Sequence, residues 1–272
     1  MFSKVAILGA GRLGQALVRG LQAAEFRPAL AVTGRTSSSI GGVSVAGIDR
    51  DPHATRDAVR DADAILVAVR PTQVEKLVLQ IAPAVAPGAV VVPLAIGVTS
   101  RRLHDLLPPR VEVVRAMPNT PVAVRRGMTG ISAELATDRG AVDDVRALFE
   151  LVGDVVEVTE GELDRFSTVA GAGPAYVSYF IATMTEASES LQLSLTREQQ
   201  GAIVQQTFDG TLALLKVDGQ RPQELLDEVA SPGGATEQAM IQLRRGNLRG
   251  VLARAMHAAA DRADEVSLEI GR

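Results

Sequence analysis

The first 160 or so residues alternate short apolar runs with amphipathic stretches. This alternation is typical of parallel strands connected by helices, and it predicts an α/β fold, a Rossmann-type doubly wound parallel sheet with helices on both faces. Pro93 lies inside one apolar run, where its missing amide donor predicts a bulge or an early strand end. The predicted strands are 4–9, 29–33, 64–69, 89–96, 111–116, 128–132 and 155–158, and the predicted helices are 12–24, 54–60, 73–85, 99–106 and 138–152.

From about residue 162 the strand pattern stops and the helical pattern continues to the end of the chain. We therefore predict a nucleotide-binding domain over 1–161 and an all-helical domain over 162–272. Thr196 followed by Gln199 predicts a capping box. Because roughly 110 residues of thin helices bury their apolar stripes poorly alone, we expect a partner subunit. The predicted helix starts in this region are Pro174, Thr196, Pro222, Pro232 and Asn247.

The first strand runs directly into a Gly-x-Gly-x-x-Gly turn followed by an amphipathic helix. In this arrangement the first glycine permits the tight turn, the second lets the main chain approach a diphosphate, and the third lets the helix pack closely on the strand. The helix N-terminus then faces the diphosphate with its positive end. The turn therefore predicts a dinucleotide site, with candidate contacts from Gly9, Gly11, Arg12, Leu13 and Gly14.

The end of the second predicted strand favours NADP(H) over NAD(H). No Asp or Glu follows this strand to hold a ribose diol, as NAD-binding sites require. The segment instead carries Arg35, Thr36 and Ser37, and a guanidinium with neighbouring hydroxyls suits a 2′-phosphate.

Three further segments follow predicted strands, where ligands collect in open α/β sheets. Their small residues and prolines are suited to walls around a flat nicotinamide ring. Asn119 is expected to hydrogen-bond either the cofactor or a neighbouring loop. The candidate cofactor contacts in these segments are Ala68, Val69, Arg70, Pro71, Ala95, Gly97, Met117 and Asn119.

Composition narrows the classes of function. With 46% hydrophobic residues, 22% charged residues and a net charge of −4, the chain has the composition of a globular protein with no general attraction for nucleic acid or an anionic membrane. There is no cysteine, the three histidines are scattered, and only 3% of residues are aromatic, which argues against a metal cluster and against base stacking. We find no signal peptide pattern and no membrane-spanning run, so we expect a cytoplasmic protein acting on a small molecule.

Two glycine-rich loops, Ala170–Tyr176 and Ala230–Thr236, precede helices in the second region. Helix N-termini of this kind bind anions through backbone N–H groups. A small carboxylate fits between such loops, with a hydroxyl from Ser231 or Thr236 reaching a neighbouring polar atom. No lysine or histidine acid stands beside the loops, which suits reduction of a cyclic imine, because the imine nitrogen is basic enough to arrive protonated.

At these motifs the sequence resembles the pyrroline-5-carboxylate reductase family. The resemblance rests on five segments, in the family's order, and covers nearly the whole chain. It implies a nucleotide domain followed by a helical domain interlocked with that of a second subunit, and assemblies of such dimers are common. It also implies that Ala172, Gly173, Ser231, Gly233 and Gly234 hold the substrate carboxylate, and that Thr236 places its hydroxyl near the ring nitrogen. The segments are Gly9–Gly14, Ala68–Pro71, Arg115–Pro121, Gly171–Tyr176 and Ser231–Thr236.

Four positions depart from the usual family pattern, namely Arg70, Pro93, Ala172 and Glu237. They leave the choice of ring open between pyrroline-5-carboxylate and a substituted pyrroline or a piperideine carboxylate of specialised biosynthesis. Glu237 is either solvated or brings a carboxylate near the pocket. The alternatives from other classes are an NADP-binding regulatory protein without catalysis and a β-hydroxyacid dehydrogenase, which would need a catalytic lysine such as Lys216.

Overall fold

The computed structural model describes residues 1–133 and 138–270. It divides into two compact units. The first contains residues 1–174 and the C-terminal segment from residue 259, and the second contains residues 175–258.

The elements alternate between strand and helix in the first part of the chain, as the apolar pattern predicts. Within the described ranges, the strands are β1 (Lys4–Leu8), β2 (Ala29–Gly34), β3 (Ser38–Ile40), β4 (Val43–Gly47), β5 (Ala64–Val67), β6 (Val90–Pro93), β7 (Glu112–Val113), β8 (Arg115–Pro118), β9 (Gly127–Ser132) and β10 (Gly153–Glu157). The helices within the same described ranges continue to Ile270. They are α1 (Arg12–Gln22), α2 (Ala54–Val59), α3 (Pro71–Ile81), α4 (Ser100–His104), α5 (Arg139–Glu150), α6 (Glu160–Val169), α7 (Gly173–Glu189), α8 (Arg197–Asp218), α9 (Pro222–Val229), α10 (Ala235–Arg245) and α11 (Leu248–Ile270). Short 3₁₀ helices span Ala82–Ala84 and Thr120–Val124.

Seven of the described strands form one sheet in the order β3-β4-β2-β1-β5-β6-β7. Every neighbouring pair in it is parallel except β3 with β4. The chain runs outward from β1 in one direction through β2 and in the other through β5, so the strand order reverses between β1 and β5. The predicted doubly wound parallel sheet is therefore confirmed.

Alternate side chains of β1 enter two separate apolar clusters. Val5 and Ile7 pack with residues of α1 and α5, whereas Ala6 and Leu8 pack with residues of α2 and α3. Because successive side chains of a strand point to opposite faces, both faces of the sheet are covered by helices, as predicted.

The structure corrects the sequence predictions in two places in this unit. The predicted strand 111–116 is wrong, since β7 ends at Val113 and Arg115–Pro118 pairs antiparallel with β9 in a second sheet of order β10-β9-β8. The hairpin β3–β4 has no counterpart among the predicted strands, because its serines and glycines carry little apolar pattern. At Pro93 the expected early strand end is confirmed, since β6 stops there.

Beyond Glu157, every described element is a helix, and α6 begins after a Thr159–Glu162 capping box whose side-chain hydrogen bond lowers the pKa of Glu162. The predicted Thr196–Gln199 capping box is confirmed at the start of α8. The predicted helix start at Pro232 is wrong, because α10 begins at Ala235 with Gly234 as its N-cap. The starts predicted at Pro174, Pro222 and Asn247 fall within one residue of α7, α9 and α11.

The second unit leaves much of its apolar side-chain area uncovered. Within it the described residues classed as buried are Thr185, Gln200 and Val204. Large apolar side chains of α7, α8 and the loop between them are exposed, including Tyr179, Leu191 and Leu212. No helix among the residues described is long and apolar enough to cross a membrane.

Candidate active site

Two glycines of the turn after β1 are required by close backbone contacts. Gly9 has φ of +119°, and a Cβ on it would lie 2.4 Å from the Ala68 carbonyl oxygen. A Cβ on Gly14 would lie 1.9 Å from the Gly9 carbonyl oxygen, so only glycine lets α1 approach the turn this closely. Both glycines are therefore explained by the packing of the protein itself.

Gly11 has no such packing explanation. It is the N-cap of α1 in an extended conformation, and a Cβ on it would meet nothing within 4 Å. Among the residues that the structure describes, no side chain caps the N–H groups of the first turn of α1, where Arg12 is exposed and Leu13 is partly buried. An open space in front of uncapped helix N–H groups fits a diphosphate group.

The structure brings the segment after β5 directly against this turn. The Ala68 amide donates to the Leu8 carbonyl at 2.9 Å, and a side-chain carbon of Val69 lies 3.2 Å from the Cβ position of Gly9. Pro71 begins α3 and Arg70 is its exposed N-cap residue, with Nε donating to Gln73 Oε1 at 3.3 Å. The turn Gly9–Gly14 and the segment Ala68–Pro71, both candidate cofactor contacts, thus lie together at the carboxyl ends of β1 and β5.

Arg35, Thr36 and Ser37 are exposed at the carboxyl end of β2. The Ser37 hydroxyl accepts a hydrogen bond from the Gly47 amide at 3.2 Å, and the Arg35 carbonyl accepts one from the Asp49 amide at 3.1 Å. The end of β4 therefore brings an acid, Asp49, beside the predicted 2′-phosphate segment. Sequence reasoning missed Asp49 because it missed β4, whose parallel pairing with β2 is what aligns the two strand ends.

The loop after β6, residues 94–99, is held by the protein's own groups. The Gly97 amide donates to Asp164 Oδ2 at 3.0 Å, and Gly97 has φ of +74°. A Cβ on Gly97 would lie 2.8 Å from the Ser267 Cα in the last turns of α11. The Gly97 N–H is therefore already paired within the protein, while Ala95 is buried beside it.

The third segment predicted to form a wall around the nicotinamide, Arg115–Pro121, is in part a strand. Met117, which the sequence places just beyond the predicted strand 111–116, is instead buried inside β8. Asn119 contacts a neighbouring loop, one of its two predicted partners: its Nδ2 donates to the Ala170 carbonyl at 2.9 Å, and its Oδ1 accepts from the Met128 amide at 2.8 Å. Asn119 thus ties the end of β8 to the loop that contains Ala172.

A charged cluster missed by sequence reasoning lies behind the loop after β6. Arg115 is 2% exposed, and its Nη2 donates to Asp164 Oδ1 at 2.6 Å. Its Nη1 lies 3.4 Å from Glu160 Oε1. The sequence showed an arginine in a predicted wall segment, but no local pattern indicates that its partners lie about 50 residues further along the chain.

The two predicted substrate loops fall in different units. In the first unit, the Ala172 amide donates to the Ser167 carbonyl at 2.9 Å and Gly173 begins α7. In the second unit, the turn Ser231–Gly234 closes by a 3.0 Å hydrogen bond from the Gly234 amide to the Ser231 carbonyl. Thr236 is half-buried in the first turn of α10.

Glu237 interacts with the second loop. Its Oε2 accepts a hydrogen bond from the Gly233 amide at 2.8 Å, and Gly233 has φ of +74°. Of the two roles that the sequence left open for Glu237, the structure shows the carboxylate beside the loop. It occupies a backbone donor that the sequence predicted for a substrate carboxylate.

Both halves of the chain match known protein families. Residues 160–266 match the family described as pyrroline-5-carboxylate reductase dimerisation, and residues 4–97 match the family described as NADP oxidoreductase, coenzyme F420-dependent. Among curated proteins, the pyrroline-5-carboxylate reductase of Corynebacterium melassecola is 30% identical over 96% of this chain and 98% of its own length.

Solved structures give the same result over the full length. A pyrroline-5-carboxylate reductase from Coxiella burnetii shares 30% identity with a TM-score of 0.81, covering 97% of this chain and 98% of its own. The pyrroline carboxylate reductase of Plasmodium falciparum, solved with NADP bound, has the same fold, with a TM-score of 0.85 at 24% identity over 97% of this chain and 98% of its own.

The different surroundings of the glycines yield a test that separates ligand contact from packing. We expect Gly11→Ala to change the free energy of unfolding by less than about 1 kcal/mol, since its methyl group enters open space. We expect it to weaken binding of the reduced nucleotide roughly tenfold or more, because that space is where the diphosphate would approach. Thermal unfolding and a fluorescence titration with NADPH measure the two effects.

Gly14→Ala serves as the matched control. Its methyl group would collide with the Gly9 carbonyl, so we expect the free energy of unfolding to fall by about 1–3 kcal/mol or more. Full nucleotide affinity in Gly11→Ala would contradict the assignment of Gly11 to the ligand.

Proposed function

Because the chain belongs to the pyrroline-5-carboxylate reductase family, we propose that it reduces 1-pyrroline-5-carboxylate to L-proline with NADPH. The observation that carries this proposal is the family similarity along the full length of the chain, in both the nucleotide and the dimerisation segments. The reduced nicotinamide, when bound, supplies the hydride that adds to the C=N carbon, while the ring nitrogen keeps its proton and becomes the amine of proline. We assign nucleotide binding to residues 1–161 and substrate binding to 162–272.

The nucleotide is proposed to lie across the strand-order reversal between β1 and β5, where open α/β sheets bind dinucleotides. The turn Gly9–Gly14 would receive the diphosphate on the N-terminus of α1, and Arg35, Thr36 and Ser37 at the end of β2 would face the adenosine ribose. On the opposite side of the reversal, Ala68–Pro71 and Ala95–Gly97 would enclose the nicotinamide. Support for this placement comes from the parallel register, which aligns these strand ends at one edge.

The substrate is proposed to be held mainly by backbone N–H groups. Ala172 and Gly173 in one loop, and Ser231, Gly233 and Gly234 in the other, would bind its carboxylate, with the Ala172, Gly233 and Gly234 amides releasing the bonds they make to Ser167, Glu237 and Ser231. Thr236 would place its hydroxyl near the ring nitrogen, where its oxygen can accept from the iminium N–H. Because a cyclic iminium carries its own proton, the site needs to orient the ring and exclude water rather than supply an acid. This agrees with loops that are rich in glycine and poor in titratable side chains.

We further propose a homodimer with interlocked helical domains. Support comes from the match of residues 160–266 to the dimerisation family and from the exposed apolar side chains of α7 and α8, since large exposed apolar surfaces mark interaction sites. Assembly beyond the dimer and a cytoplasmic location stay predictions from the sequence.

The direct test is oxidation of NADPH by the purified protein on addition of 1-pyrroline-5-carboxylate, with formation of proline measured in parallel. A substituted pyrroline and a piperideine carboxylate are run as competing substrates. Tight NADPH binding without turnover of any imine would support the regulatory alternative instead. Lys216→Ala is the control for the hydroxyacid dehydrogenase alternative: Lys216 is exposed near the end of α8, and we expect full activity without its side chain.

Arg35→Ala is expected to raise the Kd of NADPH roughly ten- to a hundredfold, because a charge-assisted hydrogen bond to the 2′-phosphate is lost. The Kd of NADH should change little, since that nucleotide lacks the phosphate. Because Asp49 lies beside this segment, the variant also shows whether the acid favours the ribose diol once the arginine is gone. Equal losses for both nucleotides would place the 2′-phosphate elsewhere.

Thr236→Ala is expected to lower kcat by roughly one to two orders of magnitude, as for loss of one positioned hydrogen bond in the transition state. Thr236→Ser keeps the hydroxyl and should retain most of the turnover. Steady-state kinetics with saturating NADPH measure both variants, and unchanged kinetics in the alanine variant would remove this role from Thr236.

Glu237→Gln is expected to lower the KM for the carboxylate-bearing imine about fivefold, because a like charge next to the Gly233 amide is removed. Glu237→Ala should act in the same direction, since it also frees the amide. A KM that rises in both variants would mean that Glu237 holds the loop in its binding shape and stays in place when substrate binds.

A further inference from the structure

The loop after β6 is fixed by a buried charged cluster that neither the family match nor the proposed roles above explain. Two carboxylates of α6 bind this loop and the residue that follows it. Asp164 accepts from the Gly97 amide at 3.0 Å, and Glu160 accepts from both the amide and the hydroxyl of Ser100, the first residue of α4, at 2.6 Å each. The second half of the loop is thus held from α6 by charge-assisted hydrogen bonds.

Arg115 joins the two carboxylates and also contacts the loop itself. Its Nη2 donates to Asp164 Oδ1 at 2.6 Å and to the Ala95 carbonyl at 3.2 Å. Because Arg115 is 2% exposed and Asp164 15% exposed, water competes little for these bonds. Arg115, Asp164 and Glu160 are called the α6 cluster below.

The α6 cluster also reaches the end of α11. The Ser267 hydroxyl donates to Asp164 Oδ2 at 3.0 Å, the same oxygen that accepts from Gly97. A carbon of the Ile270 side chain lies 3.1 Å from the Cβ position of Gly97. One carboxylate therefore joins the loop after β6 to the C-terminal turns of the helix that begins in the second unit at Leu248.

We propose that Asp164 and Arg115 are positioning residues for hydride transfer: they fix the loop 94–99, and with it the nicotinamide wall, against the end of α11. The proposal rests on the proposed function for the identity of the reaction. It follows from the strand order, since β6 lies two strands from β1 on the side that would receive the nicotinamide half of the dinucleotide. A rigid wall matters there, because a displacement of about 1 Å between reacting atoms costs up to roughly a hundredfold in rate.

The test compares Asp164→Asn with a matched control on the same pair of helices. Arg165 of α6 lies 3.3 Å from Asp264 of α11 in an ion pair whose side chains are 68% and 51% exposed, respectively. Asp264→Asn removes this α6–α11 contact without touching the loop. Each variant is measured for kcat, for the Kd of NADPH, for thermal unfolding and for hydrogen–deuterium exchange over residues 94–100.

At temperatures below its unfolding transition, Asp164→Asn is expected to lower kcat roughly ten- to a hundredfold. It is also expected to speed amide exchange over 94–100. Asp264→Asn should match the unsubstituted protein in both. Normal kcat with faster exchange in Asp164→Asn would overturn the positioning role and leave a structural one. An equal loss of kcat in the two variants would also overturn the positioning role.

Two further arms keep the test decisive. If Asp164→Asn does not fold, Ser267→Ala removes only the link to α11 and is expected to speed exchange over 94–100 and to lower kcat severalfold, whereas normal values would overturn the coupling to α11. If the unsubstituted protein reduces no imine, the proposed function fails. The exchange and NADPH-binding measurements then still decide whether the α6 cluster holds the loop, and unchanged values in Asp164→Asn would reject it.

Discussion

The close contact between the turn after β1, the start of α1 and the segment after β5 determines where everything else in the nucleotide unit lies. It exists because two positions carry no side chain: the Gly9 carbonyl occupies the space that a Gly14 Cβ would fill, and the Ala68 carbonyl lies against Gly9. These contacts set α1 close on β1 and align the carboxyl ends of β1 and β5. The open space at Gly11 is a consequence, since the helix N-terminus is brought forward while no side chain in the described part of the chain covers it.

A second constraint holds the opposite side of the same edge, and its chemistry is different. Where the first side depends on the absence of side chains, the loop after β6 depends on charged ones, with Arg115 and the carboxylates of Glu160 and Asp164 bonded to its backbone and to Ser100, which follows it. Burying one guanidinium with two carboxylates is unfavourable unless most of their hydrogen-bonding groups are paired. The backbone groups of the loop supply part of that pairing, so loop and cluster stabilise each other. Asn119 likewise holds the loop before α7 through a hydrogen bond from its side chain to the backbone of that loop.

The features that could be predicted from the sequence are those encoded within about one supersecondary unit. The strand–turn–helix at Gly9, the early strand end at Pro93 and the capping box at Thr196 each follow from residues a few positions apart, and all are confirmed. The hairpin β3–β4 was missed because its serines and glycines carry little apolar alternation, and the second sheet was missed because it pairs segments that are distant in the chain. The same reason hid Asp49 beside Arg35 and the partners of Arg115. The family resemblance identified Glu237 as unusual, but only the structure shows its contact with Gly233.

The helical unit shows why such a chain depends on association. Its long helices bury few side chains within their own unit, and the polar contact between Ser188 and Gln200 is among the few that join α7 to α8. The apolar side chains left exposed on α7 and α8 are the surface that the proposed dimer would cover. The end of α11, in contrast, is fixed to the nucleotide unit through Ser267. A single helix therefore belongs at one end to the unit that needs a partner and at the other to the loop that would face the nicotinamide.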